Sequence, residues 1–256
     1  MNNLSSISVT ILAKNAQKTL HECLLALKDF DEVILLDNES SDDTRQIAQS
    51  FPNVKIYTSE FIGFGALKNL AISYAKNDWI LSIDSDEVLE SSAIEEIKTL
   101  ALNENTIYSL PRKNLYKGEW IKACGWYPDY VKRLFNRKIT RFNDNVVHES
   151  VIVPQQCREA RLQNAIKHYT ATNMESIITK MNAYTTHSAQ EKYYKGKKPN
   201  LLLAIFRFHI VFIKDYFIRK GFLYGYKGFN IALLNSLGAY FRYAKIYDFQ
   251  AQKESK

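Results

Sequence analysis

Short apolar runs alternate with amphipathic segments along the first hundred residues. The runs are rich in β-branched residues and predict buried strands at 7–13, 32–37, 54–57 and 79–84. Between them, Leu, Ile and Ala recur at helical spacing, as at Leu20, Leu24 and Leu27. Predicted helices cover 17–28, 41–50 (with Ser41 as N-cap), 66–76 and 91–102. This alternation predicts an α/β domain with βαβ units, a mostly parallel sheet and right-handed crossovers.

The pattern changes after Leu102. Strands are predicted at 106–110, 131–135 and 165–169, with a strand-like segment at 145–151 and an aromatic segment at 116–128. Three helices follow, predicted at 174–194, 201–220 and 230–247. We therefore expect a domain of residues 1–170, divided into a donor half (about 1–104) and an acceptor-facing part (about 105–170). A helical tail is expected at 171–256.

Composition narrows the class of protein. With 46% apolar and 24% charged residues among 256, disordered and collagen-like classes are excluded. Residues 1–6 lack a signal-peptide pattern, and no run of 18 apolar residues predicts a membrane span. The three cysteines have no metal-ligand spacing, so we expect a reduced cytoplasmic setting.

The positive charge is concentrated in the tail. Residues 195–256 hold 12 Lys and Arg against 3 Asp and Glu, and 14 Phe and Tyr lie between Phe206 and Phe249. This combination favours helices that lie peripherally on an anionic membrane surface. The alternative is a helical appendage that packs on the sheet domain or on a second subunit. Nucleic acid is not an expected partner because no nucleic-acid motif is recognised.

Acidic residues follow two of the predicted strands. Asp37 ends one strand, and Asp84, Ser85 and Asp86 end another. In an extended chain residues i and i+2 point to the same side, so Asp84 and Asp86 can approach one cation. Mg²⁺ is commonly held by one or two carboxylates with substrate phosphates. The alternative is a solvated turn that caps the next helix, with Ser91 or Ser92 as N-cap. Since parallel strands share a carboxyl edge, acids on two of them favour a metal–diphosphate site.

Other candidate residues lie outside these turns. Lys68 follows Gly63-Phe64-Gly65 at a predicted helix start, a natural anion site, although alone it could be a surface lysine. The aromatic side chains of Trp120, Trp126 and Tyr127 could stack on sugars or belong to a core. Their position alone does not separate these two interpretations.

Several segments together resemble a known family. The segments SVTILAKN, VILLDNESSDDT, GFGALKN and WILSIDSDE resemble family 2 glycosyltransferases of the GT-A fold. WYPDYVKRLF, NVVHES, IKHYTATN and RKGFLYGYKGFNIALL resemble a subgroup that adds a hexose, usually glucose, to the inner-core heptose of lipopolysaccharide. The resemblance covers nearly the whole chain, and the order of its segments is more specific than D-x-D alone.

The resemblance implies a role for each matching residue. Asp37 and Asp84 would contact the uridine of a UDP-sugar, with Asn15 and Ser85 in the same donor site. Lys68 would lie near the uracil or diphosphate. Asp86 would hold Mg²⁺ or Mn²⁺, with His168 near the metal or diphosphate. Glu149 would be the catalytic base, whereas His148 beside it is expected to have a packing or hydrogen-bonding role.

The function implied is hexosyl transfer, with inversion, from UDP-glucose to a lipid-linked heptose. It would take place at the cytoplasmic face of the inner membrane. One alternative is a family 2 enzyme with another acceptor, such as a polyprenyl phosphate or a capsule glycan. The other is a non-catalytic or receiver-like nucleotide-binding module phosphorylated on an acid such as Asp37.

Overall fold

The computed structural model describes residues 2–145 and 149–254, and the chain forms two compact units. Met1–Lys113 and Asp129–Tyr169 make up the first unit, whereas Asn114–Pro128 and Thr170–Lys256 make up the second. The boundary falls within two strands, so each unit contains two separate stretches of the sequence.

The first half of the sheet is parallel, as predicted. Its strands lie in the order β3-β2-β1-β4: β1 (Ile7–Ala13), β2 (Glu32–Asp37), β3 (Val54–Thr58) and β4 (Trp79–Asp84). The connecting helices are α1 (Leu20–Ala26), α2 (Thr44–Gln49) and α3 (Phe64–Ser73). Ile34 and Leu36 of β2 pack on one face of the sheet, and Val33 and Leu35 pack on the other. This burial on both faces explains why the strand is a continuous apolar run.

The sheet continues with antiparallel neighbours. The remaining elements are β5 (Glu87–Leu89), α4 (Ser91–Thr99), β6 (Thr106–Tyr116), β7 (Glu119–Trp120), β8 (Tyr130–Asn136), β9 (Arg158–Arg161) and β10 (Ile166–Ala171). β8 pairs antiparallel with both β4 and β6, and the strand order then runs through β10 to β5. The predicted α/β class is confirmed. The short strands β5, β7 and β9 were not predicted because two to four residues carry too little periodicity.

The second unit combines one loop with the C-terminal helices α5 (Met174–Tyr194), α6 (Leu201–Ile213) and α7 (Gly225–Glu254). A π-helical turn (Lys214–Ile218) and a 3₁₀ turn (Gly221–Tyr224) connect α6 to α7. Its buried cluster holds Tyr116, Ile121, Ala123, Cys124, Ala171, Ile231 and Ala232. Segment 114–128 therefore differs from the prediction that placed it in the first domain, because its apolar residues pack with α7.

Helix ends also differ from the predictions. Ser41 is not the N-cap of α2; the helix begins at Thr44, whose N–H donates to the Asp42 carboxylate at 3.1 Å. Ser91 is the first residue of α4 and follows Glu90, which occupies the cap position. At α5 a capping box forms instead, with Asn173 accepting from the Ser176 N–H. Within the described ranges, no helix is both long and apolar enough to cross a membrane.

The three cysteines are free thiols in different surroundings. Cys23 and Cys124 are buried, whereas Cys157 is partly exposed. Burial, reinforced by the charge of Asp215, raises the pKa of the Cys124 thiol to about 12. Burial also raises the pKa of Cys23 well above its ordinary value. Both buried thiols are therefore held in the unreactive, protonated form at neutral pH.

Candidate active site

The carboxyl ends of β1, β2 and β4 meet at one edge of the sheet. Ala13 pairs with Asp37, and Leu12 with Asp84, so the two predicted acids lie on either side of β1. Asp37 is fully buried, and both of its carboxylate oxygens accept the Ser40 N–H at 3.3 Å. Its placement at this edge is the one that the sequence predicts.

Asn15 ties the loop after β1 to the loop after β2. It adopts a left-handed backbone with φ of 51°, a conformation that Asn tolerates better than most residues. Its N–H donates to Ser40 Oγ, and its Oδ1 accepts the Ser41 N–H, both at 2.9 Å. Ser40 therefore contacts both Asn15 and Asp37, and the structure brings these two predicted residues together.

Asp84 lies between two cations. Its Oδ1 accepts from Lys68 Nζ at 2.8 Å, and its Oδ2 accepts from Arg133. Burial alone would raise the pKa of the Asp84 carboxyl, but the charges of Arg133 and Lys68 outweigh it. They hold this pKa well below its usual range, so Asp84 is an anion throughout the physiological pH range.

Arg133 and Glu87 form a buried ion pair beneath this acid. The guanidinium of Arg133, on β8, contacts Glu87 Oε1 at 2.6 Å as well as Asp84. Glu87 is fully buried; it accepts the Asp84 N–H at 3.1 Å and lies 3.3 Å from Arg112. A buried carboxylate needs such partners to offset its lost hydration. Glu87 therefore fixes the turn after β4 rather than facing solvent.

Lys68 links Asp84, at the carboxyl edge of the sheet, to Glu149. Its side chain is only 7% exposed, and Nζ lies 3.0 Å from Glu149 Oε1 and 2.8 Å from Asp84 Oδ1. Lys68 is thus a buried cation and not a surface lysine. The structure brings the predicted base within contact of the predicted diphosphate ligand. His148, and the strand-like residues Val146 and Val147 before it, lie outside the described residues.

The helix that carries Lys68 begins at a close backbone approach. Gly63, at φ of 101°, precedes α3, and the Gly65 N–H donates to Asn145 O at 3.1 Å. A Cβ added at Gly65 would lie 2.0 Å from Asn143 O, so only glycine fits there. This approach holds residues 143–145, which precede Glu149 in the sequence, against α3.

Asp86 and His168 come together as predicted from the resemblance. The β5–β10 pairing sets His168 opposite Glu87, and its Nε2 lies 3.5 Å from Asp86 Oδ2. Both side chains are partly exposed, unlike Glu87. Among the described residues, no group of three His, Cys, Asp or Glu forms a metal cage. A carboxylate and an imidazole fit a divalent cation whose remaining ligands are phosphate oxygens and water.

Ser85 joins this turn to the first loop. Its carbonyl accepts a hydrogen bond from Thr19 Oγ1 at 2.9 Å. This contact supports the D-S-D turn from the side of α1. Ser85 is therefore held beside the carboxyl end of β4 by a contact of its backbone.

Two site residues were missed by the sequence analysis. Arg133 lies in VKRLF, where alternation predicted a strand but not a buried cation, and Glu87 entered only as the last residue of the segment WILSIDSDE. For Arg133 the available signal was a charged residue at an inward-facing position of a predicted strand. Arg133 is 49 residues from Asp84 in sequence, so the pairing depends on the sheet order.

Comparison with known proteins identifies the class. A model of the family described as "Glycosyl transferase family 2" matches residues 8–168, and the chain belongs to this family of glycosyltransferases. The resemblance drawn from the sequence is thereby confirmed.

Individual relatives cover nearly the whole chain. An uncharacterised glycosyltransferase of Rickettsia prowazekii (strain Madrid E) is 28% identical, covering 98% of this chain and 90% of its own. The lipopolysaccharide core biosynthesis glycosyltransferase LpsC of Rhizobium meliloti (strain 1021) is 25% identical, covering 96% and 94%. Among solved structures, S. aureus TarS 1–349 in complex with UDP is 17% identical with a TM-score of 0.45, covering 72% of this chain and 65% of its own.

Proposed function

We propose that this glycosyltransferase moves glucose, with inversion, from UDP-glucose to a heptose of the lipopolysaccharide core. The observation that carries the proposal is the Lys68 ammonium, which contacts both Asp84 and Glu149 at the carboxyl edge of the sheet. The lipopolysaccharide core relative, similar over 96% of this chain, supports the choice of acceptor.

The donor half supplies charge stabilisation for the departing UDP. Asp37 and Asp84 bind the uridine, and the Lys68 ammonium stabilises negative charge as it develops on the diphosphate. Asp86 and His168 are the residues that would hold Mg²⁺ or Mn²⁺. When bound, the cation neutralises diphosphate charge as a Lewis acid.

Glu149 accepts the proton of the attacking hydroxyl. As the acceptor oxygen forms its bond to the anomeric carbon, the bond from that carbon to the diphosphate oxygen breaks, and UDP leaves. The proton passes to the Glu149 carboxylate, whose side chain is 19% exposed and so open to an acceptor. One direct displacement inverts the anomeric centre.

The second unit would hold the enzyme at the cytoplasmic face of the inner membrane. Leu202, Phe206, Ile213 and Phe217 recur at spacings of four and seven and are all more than half exposed. An apolar stripe of this kind, in a region carrying excess Lys and Arg, matches an anionic lipid surface. This face would bring the transferase to a lipid-linked acceptor.

The donor proposal is tested by calorimetric binding of UDP and UDP-glucose, with and without Mn²⁺. Wild type should bind both nucleotides more tightly when Mn²⁺ is present, and Asp86→Asn should lose this metal-dependent binding. Asp78→Asn is the matched control, because Asp78 lies in the same unit and its recorded ion pairs, with Arg137 and Lys138, are partly exposed. If no nucleotide binds under any metal condition, the donor assignment is wrong.

The acceptor is tested separately with radiolabelled UDP-glucose. Label should enter lipopolysaccharide whose core ends at heptose and not material lacking heptose. Transfer to polyprenyl phosphate or to a capsule glycan instead would move the enzyme to another acceptor class within its family. Labelling of Asp37 by a phosphoryl donor would instead support a receiver-like function.

Membrane association is tested by flotation with vesicles containing anionic lipid. Leu202→Ser with Phe206→Ser should weaken binding about tenfold, because two large side chains lose their apolar burial. Leu25→Ser with Ile152→Ser, which changes exposed apolar residues of the first unit, should leave it unchanged. Binding that survives the first pair of changes would refute a lipid-facing α6.

A further inference from the structure

A second candidate site lies wholly within the second unit. A cavity of about 580 Å³ is lined by the loop 122–128 and by the turn between α6 and α7. Three of its side chains are basic (Lys122, Arg219 and Lys220), and two are tyrosines (Tyr127 and Tyr224). We propose that this cavity binds a phosphate group carried by an amphiphilic molecule. The residues of the candidate active site take no part in it.

The charge of the cavity favours an anion. Arg219 Nη1 donates to the buried Asp215 carboxylate at 2.9 Å, and this carboxylate also accepts from Asn235 at 2.8 Å. In the part of the chain that the structure describes, Asp215 is the sole acid recorded in an ion pair with the three lining cations. The net charge of this group is therefore positive, and a further anion would be attracted.

Arg219 is positioned by its contacts with Asp215 and Gly125. The ion pair fixes one nitrogen of the guanidinium, while the side chain as a whole remains 43% exposed. A Cβ on Gly125 would lie 2.4 Å from Arg219 Nη1, so glycine is needed to leave the guanidinium its place. A planar guanidinium held in this way presents its remaining N–H groups in the fork geometry that phosphate oxygens accept.

The backbone around the cavity is held in sparsely populated conformations. Lys220 and Cys124 are left-handed with φ of 57° and 55°, and Gly125 has φ of 77°. Two hydrogen bonds between the loop and the turn maintain these conformations. The Cys124 N–H donates to Arg219 O at 3.2 Å, and the Lys122 N–H donates to Tyr224 Oη at 3.1 Å. A π-helical turn directly precedes Arg219. Left-handed non-glycine residues and π turns both concentrate at functional sites.

The surroundings indicate that the phosphate is part of a larger molecule. The volume exceeds the size of a single phosphate and suits a small headgroup. Ile218 and Leu223, which also line the cavity, are 72% and 65% exposed. Apolar side chains at the rim of a cationic cavity suit the chain of a phosphorylated lipid. A water-soluble phosphate compound shares the same headgroup chemistry, and the experiment separates these two sources.

The test uses the full chain without any nucleotide sugar. Binding is measured to inorganic phosphate by calorimetry. It is also measured to phosphatidylcholine vesicles whose equal negative charge comes from phosphatidic acid or from a fatty acid. Wild type should prefer the phosphatidic acid vesicles over the carboxylate ones. Lys122→Glu with Lys220→Glu should lose this preference and weaken binding about tenfold or more.

A matched control distinguishes binding in the cavity from the effect of the protein's net charge. Lys197→Glu with Lys198→Glu makes the same change of net charge at exposed positions of the same unit and should keep the preference. A circular dichroism spectrum and a thermal melt that match the wild type show that each variant is folded. This control uses no nucleotide sugar, so a failure of the donor proposal does not affect the test. Lys122→Gln with Lys220→Gln provides a milder second variant.

Each outcome decides the proposal. Saturable binding of inorganic phosphate without a preference for phosphatidic acid vesicles, lost only in the cavity variants, would indicate a soluble phosphate compound as the ligand and would overturn the amphiphilic one. Preference for phosphatidic acid without binding of free phosphate, again lost only in those variants, supports a lipid headgroup. No preference in the wild type, or equal losses in the cavity variants and the control, would overturn it.

Discussion

Arg133 is the residue whose replacement tests the structure of the active site most directly. We consider Arg133→Met, which keeps much of the side-chain volume and removes the charge. The change leaves Glu87, which is fully buried, with Arg112 at 3.3 Å as its remaining cation. Asp84 keeps Lys68 at 2.8 Å.

The expected cost follows from the burial of these partners. Breaking a buried ion pair from one side costs about 3–5 kcal/mol, because the other charge stays buried without compensation. Arg112 remains near Glu87, and the Asp84 side chain is 32% exposed, so both acids are partly compensated. We therefore expect the free energy of unfolding to fall by about 3 kcal/mol, the lower end of that range.

The assay is urea unfolding followed by the fluorescence of Trp79. Trp79 lies in the first unit, whereas the other two tryptophans lie in the second and would be replaced by Phe in all variants. Arg141→Met, which breaks an exposed pair with Asp144, is the control and should cost far less stability. Adding Glu87→Gln to Arg133→Met should restore part of the loss. Equal costs for Arg133→Met and Arg141→Met would refute the reasoning.

The same variant should change the acid sensitivity of the fold. The pKa of Asp84 is lower in the folded chain than in the unfolded chain, where it is about 3.9. Its contribution is thus complete above about pH 4 and is lost as pH falls toward the folded value. In Arg133→Met the pKa of Asp84 is less depressed, so the acid-induced loss of stability should be shallower. Identical pH profiles below pH 4 would contradict the pairing.

Further predictions concern other parts of the molecule. Glu149→Gln should lower turnover about 10²–10⁴-fold while calorimetry shows nearly unchanged UDP-glucose binding; a parallel loss of binding would argue against a base. Gly65→Ala should lower stability in thermal melts by about 1–3 kcal/mol, since the new Cβ meets Asn143 O at 2.0 Å. Gly238→Ala, with ordinary contacts of 3.5 Å or more, should raise it by about 0.5–1 kcal/mol. Maleimide at pH 8 should label Cys157 alone, as read by mass spectrometry, because both buried thiols stay protonated.

The sequence predicted best what depends on neighbouring residues. The apolar runs of β1, β2 and β4 can be recognised as strands from the sequence. The parallel arrangement then places Asp37 and Asp84 at one edge of the sheet. Lys68 was indicated by the glycines before it, because a helix start is an anion site. These inferences need only local periodicity and the rule that ligands bind at the carboxyl ends of strands.

What the sequence could not predict depends on distant pairing. Arg133 reaches Asp84 only because β8 is inserted beside β4, and no local pattern specifies that insertion. Ser41 is not a helix cap because α2 begins only at Thr44; the Ser41 N–H and hydroxyl donate instead to Asn15, 26 residues away. The boundary expected at residue 170 missed segment 114–128, whose apolar partners Ile231 and Ala232 lie more than a hundred residues further along the chain.

Because the second unit is built from two separate stretches of the chain, it limits where the protein can be truncated or exchanged. Segment 114–128 interrupts the first unit, and its buried residues Ile121, Ala123 and Cys124 rely on Ile231 and Ala232 of α7. A stop codon after residue 170 would therefore strip an internal loop of its core and would not release an intact catalytic module. Chimeras that take residues 171–256 from a relative should fail to fold unless segment 114–128 comes from the same relative. Recombination can thus transfer this module only as two matched pieces.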